Sequence, residues 1–308
     1  MKVLSLFDGM SCGQIALDQL GIPVEKYYAS EIDKYAIKVT QANYPDTIQV
    51  GDVCQLNPKD FMDVDLIMGG SPCQGFSFAG KQLAFDDSRS ALFFEFIRLL
   101  KAIKPKYFLL ENVRMKQEFI DIISEQVSEC YPEITFGIEP ILINSSLLSA
   151  QSRQRLYWTN IPKIEQPKDK GIVLKDILET NTDEKPVNTC QGGNREPKVV
   201  TGGAFRGRAY DKECKRKNID ISSVANQTTQ IRELRKDNKS NAITTVSKDS
   251  IAVNEDLTWR KLTPLECERL QTVPDNYTNH VSNTQRYKML GNGWTVEVIK
   301  HILQEMEL

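Results

Sequence analysis

The stretch Val64-Asp65-Leu66-Ile67-Met68-Gly69-Gly70-Ser71-Pro72-Cys73-Gln74-Gly75 joins an apolar run to a glycine-rich loop. A short apolar run that ends in glycine is typical of a buried strand. Cys73 follows a proline just beyond the carboxyl end of that strand, which is where ligands bind in doubly wound sheets. The sequence therefore offers Cys73 as a candidate nucleophile, with the alternative that it is a small buried hydrophobic residue.

Strand and helix patterns alternate on both sides of this stretch, from residue 1 to about residue 144. Helices are predicted at about 14–20, 34–43, 90–104 and 117–129. Strands that alternate with helices form a parallel sheet covered on both faces, so we predict an α/β fold with a mostly parallel, doubly wound sheet. The predicted strands are Val3–Phe7, Tyr27–Ser30, Thr47–Val50, Val64–Met68 and Tyr107–Leu110.

Acidic residues stand at the ends of two adjacent predicted strands, Glu31 and Asp52, beyond a glycine turn after the first strand. Such residues suit a ribose and an adenine amino group. The turn spaces Gly9 and Gly13 as G-x-x-x-G, so the dinucleotide fingerprint is missing, and no Gly-Lys-Ser/Thr follows, which removes the P-loop. A nucleoside without phosphates, such as S-adenosylmethionine, fits better. The alternative is that Glu31 and Asp52 only cap the segments that follow them.

Cys73 and Glu111 lie one strand–helix–strand unit apart, which predicts neighbouring strand ends. A thiol beside a carboxyl that can donate a proton forms a covalent catalytic pair. Arg153 and Arg155 are two positions apart on an extended segment, so their side chains are expected to point the same way. They suit a carbonyl oxygen, a phosphate or the catalytic carboxyl itself, with surface arginines near a turn as the alternative.

The composition bounds these interpretations. With 308 residues and 40% hydrophobic content, the chain can bury a large core. The seven cysteines are scattered and form no C-x-x-C pair, so neither a metal site nor a disulfide framework is expected. No signal-peptide region and no run of membrane-spanning length is present, which predicts a soluble cytoplasmic protein without membrane contact.

From about residue 161 to residue 256 the periodicity fades. Residues 195–260 carry 14 basic and 9 acidic side chains, within a chain whose net charge is -2. A basic segment beside an acidic body indicates a module that faces a polyanion, and polar loops suit contacts to base edges. The alternatives are a solvated basic surface and a loop-rich insertion of other purpose. We predict domains at 1–160 and 161–258, with 259–308 returning to complete the first.

Helical order returns at Thr263-Pro264-Leu265-Glu266, a capping box with proline at the first helical position. That helix runs to about Leu270. The segment Gln285–Trp294 precedes a final helix predicted at about 296–304.

Taken together, these residues resemble the DNA (cytosine-5)-methyltransferases over nearly the whole chain. One departure is Gly291-Asn292-Gly293-Trp294, where many members read Gly-Asn-Ala/Ser-Val. The Cys-Phe-Thr tripeptide of the family's tRNA-methylating branch is missing, which favours DNA as the substrate. The segments that carry the resemblance occur in the family's order: Phe7–Gly13, Glu31–Asp33, Gly51–Val53, Pro72–Gln74, Glu111–Val113, Gln151–Arg155, Arg260–Tyr277 and Gln285–Val296.

The resemblance implies a Rossmann-like S-adenosylmethionine-dependent methyltransferase fold with a smaller, loop- and β-rich target-recognition domain. It implies methyl transfer from S-adenosyl-L-methionine to C5 of a flipped-out cytosine in a specific duplex DNA sequence, through a bond between Cys73 and C6, with S-adenosyl-L-homocysteine as product. The implied catalytic residues are Cys73, Glu111, Arg153 and Arg155. The implied cofactor contacts are Phe7, Asp8, Gly9, Gly13, Glu31, Ile32, Asp52, Val53, Gly70, Pro72 and Asn292.

In that scheme Glu111 protonates or hydrogen-bonds N3 of the base, Arg155 holds O2 and Arg153 supports the site. The implied partner is duplex DNA, with a companion restriction endonuclease, and the chain is expected to act as a monomer in a prokaryotic or phage-infected cell. Two rival functions stay open at this point, a catalytically silent DNA-binding relative and an RNA cytosine methyltransferase.

Overall fold

A seven-stranded, mostly parallel sheet organises the chain, which confirms the predicted α/β class. The computed structural model describes residues 1–71, 91–180, 200–208, 229–245, 250–254 and 258–307. Within these ranges the main sheet has the order β3-β2-β1-β4-β5-β8-β6, and β8 alone runs against its neighbours. The first eight strands are β1 (Lys2–Leu6), β2 (Lys26–Ser30), β3 (Ile48–Gln49), β4 (Leu66–Gly69), β5 (Tyr107–Val113), β6 (Ile141–Asn144), β7 (Gln151–Ser152) and β8 (Gln154–Thr159).

Helices cover both faces of the sheet because side chains along its strands alternate between two apolar clusters. Val3 of β1 belongs to one cluster and Leu4 to the other. The first cluster includes residues of α1, α2, α5, α6 and α7, and the second includes residues of α3 and α4. These helices are α1 (Cys12–Gln19), α2 (Lys34–Asn43), α3 (Ala91–Ile103), α4 (Gln117–Cys130), α5 (Pro264–Leu270), α6 (Asn283–Asn292) and α7 (Val296–Leu303).

Local signals fix several helix ends where the sequence predicted them. The Asp33 side chain accepts the N–H of Tyr35 at 2.9 Å and caps α2. Thr263 and Glu266 form the reciprocal capping box at the start of α5, with proline at its first position. On α3, Phe96, Leu99 and Ile103 are buried as the 3.6-residue spacing predicts, and burying each such side chain stabilises the fold by about 1.5–3 kcal/mol.

Two elements differ from the sequence expectation. Strand β5 continues through Val113, so Glu111 lies inside the strand and not after it. The reason is long-range pairing, since β8 runs antiparallel to β5 and aligns Glu111 with Tyr157 and Val113 with Arg155. Helix α6 was not predicted; its sequence is mostly polar, and it ends at Asn292, whose Asn-Gly pair with Gly293 is a turn signal.

A second, antiparallel sheet of four strands lies between β8 and α5 in the chain. It has the order β10-β9-β12-β13, and the short strand β11 pairs with β7. The buried Lys239 ammonium next to β11 donates to the carbonyls of Ser146 at 2.5 Å and Ile172 at 2.8 Å, which joins this region to the turn that follows β6 and to the loop at Ile172. The strands are β9 (Thr201–Arg208), β10 (Thr229–Leu234), β11 (Ser240–Asn241), β12 (Ile251–Val253) and β13 (Trp259–Lys261).

The domain limits at residues 160 and 258 remain a prediction. In the part of the chain described above, none of the helices has the length and apolar character that crossing a bilayer requires.

Candidate active site

A cavity of about 590 Å³ lies at the carboxyl ends of the parallel strands. Its volume is in the range of small-molecule binding sites. Residues that follow β1, β2, β3 and β4 meet there with residues of β5 and α6, because the ends of parallel strands share one sheet edge. The residues predicted from the sequence that line this cavity are Phe7, Asp8, Gly9, Glu31, Ile32, Asp52, Val53, Gly70, Glu111, Arg153, Arg155 and Asn292.

Three predicted residues stand apart from that set. Gly13 lies in α1, where that helix packs against the sheet. A Cβ added at Gly13 would lie 2.5 Å from the Met68 sulfur, so the absence of a side chain lets α1 approach β4. Pro72 and Cys73 lie outside the described residues. Their predicted roles therefore remain predictions.

Glu31 organises the first half of the cavity. Its carboxylate accepts three backbone N–H groups, from Gly9 at 2.8 Å, Ile32 at 2.7 Å and Asp33 at 2.8 Å. A carboxylate has about four lone-pair sites, so one acceptor position is left for a ligand hydroxyl. The capping interpretation and the ligand interpretation of Glu31 are therefore compatible.

Asp52, like Glu31, both caps a backbone segment and lines the cavity. Its Oδ1 accepts the N–H of Cys54 at 3.0 Å, which caps a short 3-10 turn, and the residue also lines the cavity. Nearby, the Ile32 side chain is 76% exposed at the cavity, an unusual position for a large aliphatic group. This half of the cavity presents carboxylate acceptors beside an apolar surface.

Asp8 adds a titratable group to this half. Burial raises the pKa of its carboxyl to about 6, against hydrogen bonds from Ser11 and Tyr27 that lower it. The Tyr27 hydroxyl donates to Asp8 Oδ1 at 2.8 Å. The carboxyl is thus held in place while burial disfavours its charged form.

Glu111 is the centre of the second half of the cavity. Arg155 Nε lies 2.8 Å from its Oε1, and the indole N–H of Trp294 donates to its Oε2 at 3.2 Å. Glu111 is 8% exposed. Both oxygens of one nearly buried carboxyl are therefore held by separate donors, at the edge of a cavity that admits a ligand.

Arg153 differs from Arg155 in what it contacts. Its buried guanidinium donates to three backbone carbonyls, those of Ile243 at 3.1 Å, Gly291 at 3.2 Å and Gly293 at 3.0 Å. Both arginines line the cavity, but Arg153 fixes the backbone at the end of α6 while Arg155 holds the carboxyl.

Sequence reasoning named Asn292 of α6 as a cofactor contact but missed other lining residues of that helix, and it missed Trp294. Gln285, Lys288, Met289 and Asn292 all line the cavity from α6. Their spacing of 0, 3, 4 and 7 positions is one helical face, a signal that was present in the sequence. Trp294 stood out only as a departure from the family's usual residue.

Comparisons with known proteins agree with this geometry. The family model for C-5 cytosine-specific DNA methylases matches residues 1–308. The Type II methyltransferase M1.ScrFI of Lactococcus lactis subsp. cremoris is 30% identical over 99% of this chain and 77% of its own length. The Type II methyltransferase M.NlaX of Neisseria lactamica is 31% identical over 99% of this chain and 96% of its own. A solved DNMT2 mutant from Spodoptera frugiperda shares the fold, with a TM-score of 0.67 and 22% identity over 99% of this chain and 98% of that one.

Proposed function

The chain belongs to the C-5 cytosine-specific DNA methylase family, and we propose that it transfers the methyl group of S-adenosylmethionine to C5 of a cytosine flipped out of duplex DNA. One observation carries this proposal. The Glu111 carboxyl, held by Arg155 and Trp294, lies in the same cavity as Glu31 and Asp52. A group that can hydrogen-bond a pyrimidine thus stands next to acceptors for a nucleoside.

The described residues fit S-adenosylmethionine in the half of the cavity near β1 and β2. The remaining lone pair of Glu31 suits a ribose hydroxyl, and Asp52 suits the adenine amino group. The side chains of Ile32 and Val53 offer an apolar surface for the purine ring. When bound, S-adenosylmethionine supplies an electrophilic methyl group on a sulfonium centre.

The other half of the cavity fits the base. C5 of cytosine is a poor nucleophile, so we propose that the Cys73 thiolate adds to C6 and makes C5 enamine-like. Glu111 donates a proton or a hydrogen bond to N3, which takes up the electron density from that addition. Arg155 contacts O2 while it holds the Glu111 carboxyl. After C5 has accepted the methyl group, a base such as water removes the C5 proton, the Cys73 thiolate leaves C6, and N3 returns its proton to Glu111, which restores the ring.

Access to the base requires a change in the DNA. C5 and C6 are stacked inside the duplex, so the target cytosine must rotate out at a cost of roughly a few kcal/mol. We propose that the segment 75–87 and the variable segment 161–258 fill the gap and contact the DNA. The excess of basic side chains at 195–260 supports contacts with phosphates.

The direct test uses purified protein, a labelled methyl donor and duplex DNA of random sequence, with tRNA as a parallel substrate. We expect label only in the DNA, as 5-methylcytosine, within one short recurring sequence once the modified positions are mapped. Labelled tRNA with unlabelled DNA would favour the RNA methyltransferase instead. Binding of DNA without label on either substrate would favour the catalytically silent relative.

The covalent step has its own test. Cys73→Ala should abolish methyl transfer while calorimetry shows nearly unchanged affinity for S-adenosylmethionine. Duplex DNA that carries 5-fluorocytosine has no removable proton at C5, so the wild-type protein should form a denaturation-resistant complex with it and the variant should not. Methyl transfer by Cys73→Ala would contradict the covalent mechanism.

The relatives M1.ScrFI and M.NlaX are named Type II methyltransferases. We propose that this chain likewise methylates the recognition sequence of a restriction endonuclease and so protects that sequence. A plasmid isolated from cells that express the chain should resist an endonuclease specific for the mapped sequence. Expression of Cys73→Ala should leave the plasmid sensitive.

A further inference from the structure

We propose that Trp294 is a positioning residue for Glu111, a role that rests on the proposed function and extends it. The indole Nε1 lies 3.2 Å from Glu111 Oε2, and the side chain is partly buried against the core. Arg155 occupies Oε1 of the same carboxyl at 2.8 Å. One donor on each oxygen fixes the plane of the carboxyl as well as its place.

The backbone on both sides of Trp294 is itself fixed. The carbonyl of Gly293 accepts from Arg153 at 3.0 Å and from Gln271 at 3.1 Å. The buried Thr295 hydroxyl donates to Gln271 Oε1 at 2.9 Å. An indole carried between two anchored residues has little freedom, so its N–H presents a constant donor to Glu111.

Gly70 provides the space for this arrangement. A Cβ on Gly70 would lie 2.9 Å from Glu111 Oε2 and 3.0 Å from Trp294 Nε1. Both distances are shorter than ordinary contacts, so the absent side chain at position 70 lets the carboxyl and the indole meet. Gly70, Glu111 and Trp294 therefore depend on one another, since the hydrogen bond between the indole and the carboxyl forms in the space that a side chain at position 70 would occupy.

The chemistry explains why a neutral donor suits this position. A carboxyl that passes a proton or a hydrogen bond to N3 must keep its orientation, since misplacement by about 1 Å can cost on the order of a hundredfold in rate. Arg155 already places one cation beside this carboxyl, at Oε1. The indole N–H orients Oε2 without adding charge beside the group that donates to the base.

A purely structural role for Trp294 is the competing explanation, since the ring also packs against the core. The two roles separate in Trp294→Phe, which keeps an aromatic ring and removes the N–H. Tyr287→Phe is a matched control, because it removes the hydroxyl that donates to Leu262 at 2.8 Å from the adjacent helix α6. Tyr287 does not line the cavity.

A spectroscopic measurement tests the contact without any turnover. The chain has three tryptophans, so ¹⁵N-indole labelling gives three N–H resonances. Trp158→Phe and Trp259→Phe assign two of them, and the third belongs to Trp294. Glu111→Leu removes the acceptor and should move the Trp294 resonance well beyond any change in the other two. An unmoved Trp294 resonance would overturn the proposal.

Kinetics then test the role. For Trp294→Phe we expect the single-turnover methylation rate to fall by roughly tenfold or more, because the carboxyl loses the donor that orients Oε2, with KM for DNA and donor within about threefold. Tyr287→Phe should keep the wild-type rate. A Trp294→Phe rate within twofold of wild type, or a loss that lies in KM, would overturn the proposal. If the wild type itself transfers no methyl group, the proposed function fails, and the indole resonance still decides whether Trp294 holds Glu111.

Discussion

Arg155 Nε lies 2.8 Å from Oε1 of Glu111, across the antiparallel pair formed by β5 and β8. Glu111 aligns with Tyr157 in that pair, so Arg155 reaches it diagonally from two positions away. The side chains are 16% and 11% exposed. A largely desolvated carboxylate with a cation on one oxygen depends strongly on that partner.

Arg155→Ala should lower the free energy of unfolding by about 1.5–3 kcal/mol, because it removes a charge-assisted hydrogen bond from a nearly buried carboxylate. Methyl transfer should fall on the order of a hundredfold, since a preorganised donor is lost from the reacting group. Urea denaturation and single-turnover labelling measure the two effects.

Arg114→Ala is the control for that variant. Arg114 is exposed and donates to Gln154 at 2.8 Å, so its removal should change stability by less than about 0.5 kcal/mol. Equal losses in the two variants would contradict a special role for the pair of Arg155 and Glu111.

Two substitutions at Asp52 should distinguish its role as a cap from its proposed role in binding the methyl donor. Asp52→Ala loses the cap on Cys54 together with the acceptor that we propose for the adenine amino group, and the lost cap should cost about 1 kcal/mol of stability. Asp52→Asn keeps an oxygen for the cap but places an amide N–H₂ where an acceptor is needed. Calorimetry should therefore show weakened donor binding in both variants, while only Ala lowers Tm. Wild-type affinity in Asp52→Asn would argue against the adenine contact.

Asp8 predicts a pH dependence with a definite sign. Burial raises the pKa of its carboxyl from 3.8 to about 6, so between these values the folded chain keeps a proton that the unfolded chain has lost. The stability contributed by this group is therefore greatest below pH 3.8, falls as the pH rises through that window, and levels off above it. Asp8→Asn cannot titrate. Its unfolding free energy should rise relative to wild type between pH 4 and pH 6.5, and a constant difference in urea denaturation would contradict this.

Gly70→Ala should impair both methyl transfer and folding. The added methyl group would meet Glu111 Oε2 at 2.9 Å and must displace a carboxyl that two donors hold. We expect methyl transfer to fall by roughly tenfold, with a loss of about 1–3 kcal/mol in stability from overpacking. Single-turnover labelling beside a urea titration checks both, and a wild-type rate would show that the carboxyl has room to move.

Local sequence signals accounted for much of the fold. Helix α2 begins and ends where it was predicted, because Asp33 caps it and its periodicity is regular. The convergence of Glu31, Asp52 and Glu111 also followed from the sequence, since parallel strands bring their carboxyl ends to one edge. Functional residues at strand ends can be predicted from the sequence wherever the strands themselves can be predicted.

The remaining features depend on contacts between distant parts of the chain. Strand β5 reaches Val113 because β8 pairs with it, which no local pattern near residue 111 contains. Arg153 points at carbonyls 90 to 140 positions later, at Ile243 and Gly293. The spacing of Arg153 and Arg155 predicted a shared direction, but partners that fold in from elsewhere decide what each guanidinium meets.

Helix α6 and the residues after it complete the cavity lining that the turn after β1 begins, and α7 supports them as part of the same apolar cluster. Asn292 and Trp294 line the same cavity as Phe7 and Asp8, and α7 packs on α1. While a ribosome is still translating the middle of the message, the nascent polypeptide has α1 and α2 but not yet α5, α6 and α7 on this face of its β-sheet, and its cavity lacks the side chains that α6 and Trp294 contribute. We therefore expect a complete cavity, and the methyl transfer proposed for it, only after the last helices have been synthesised.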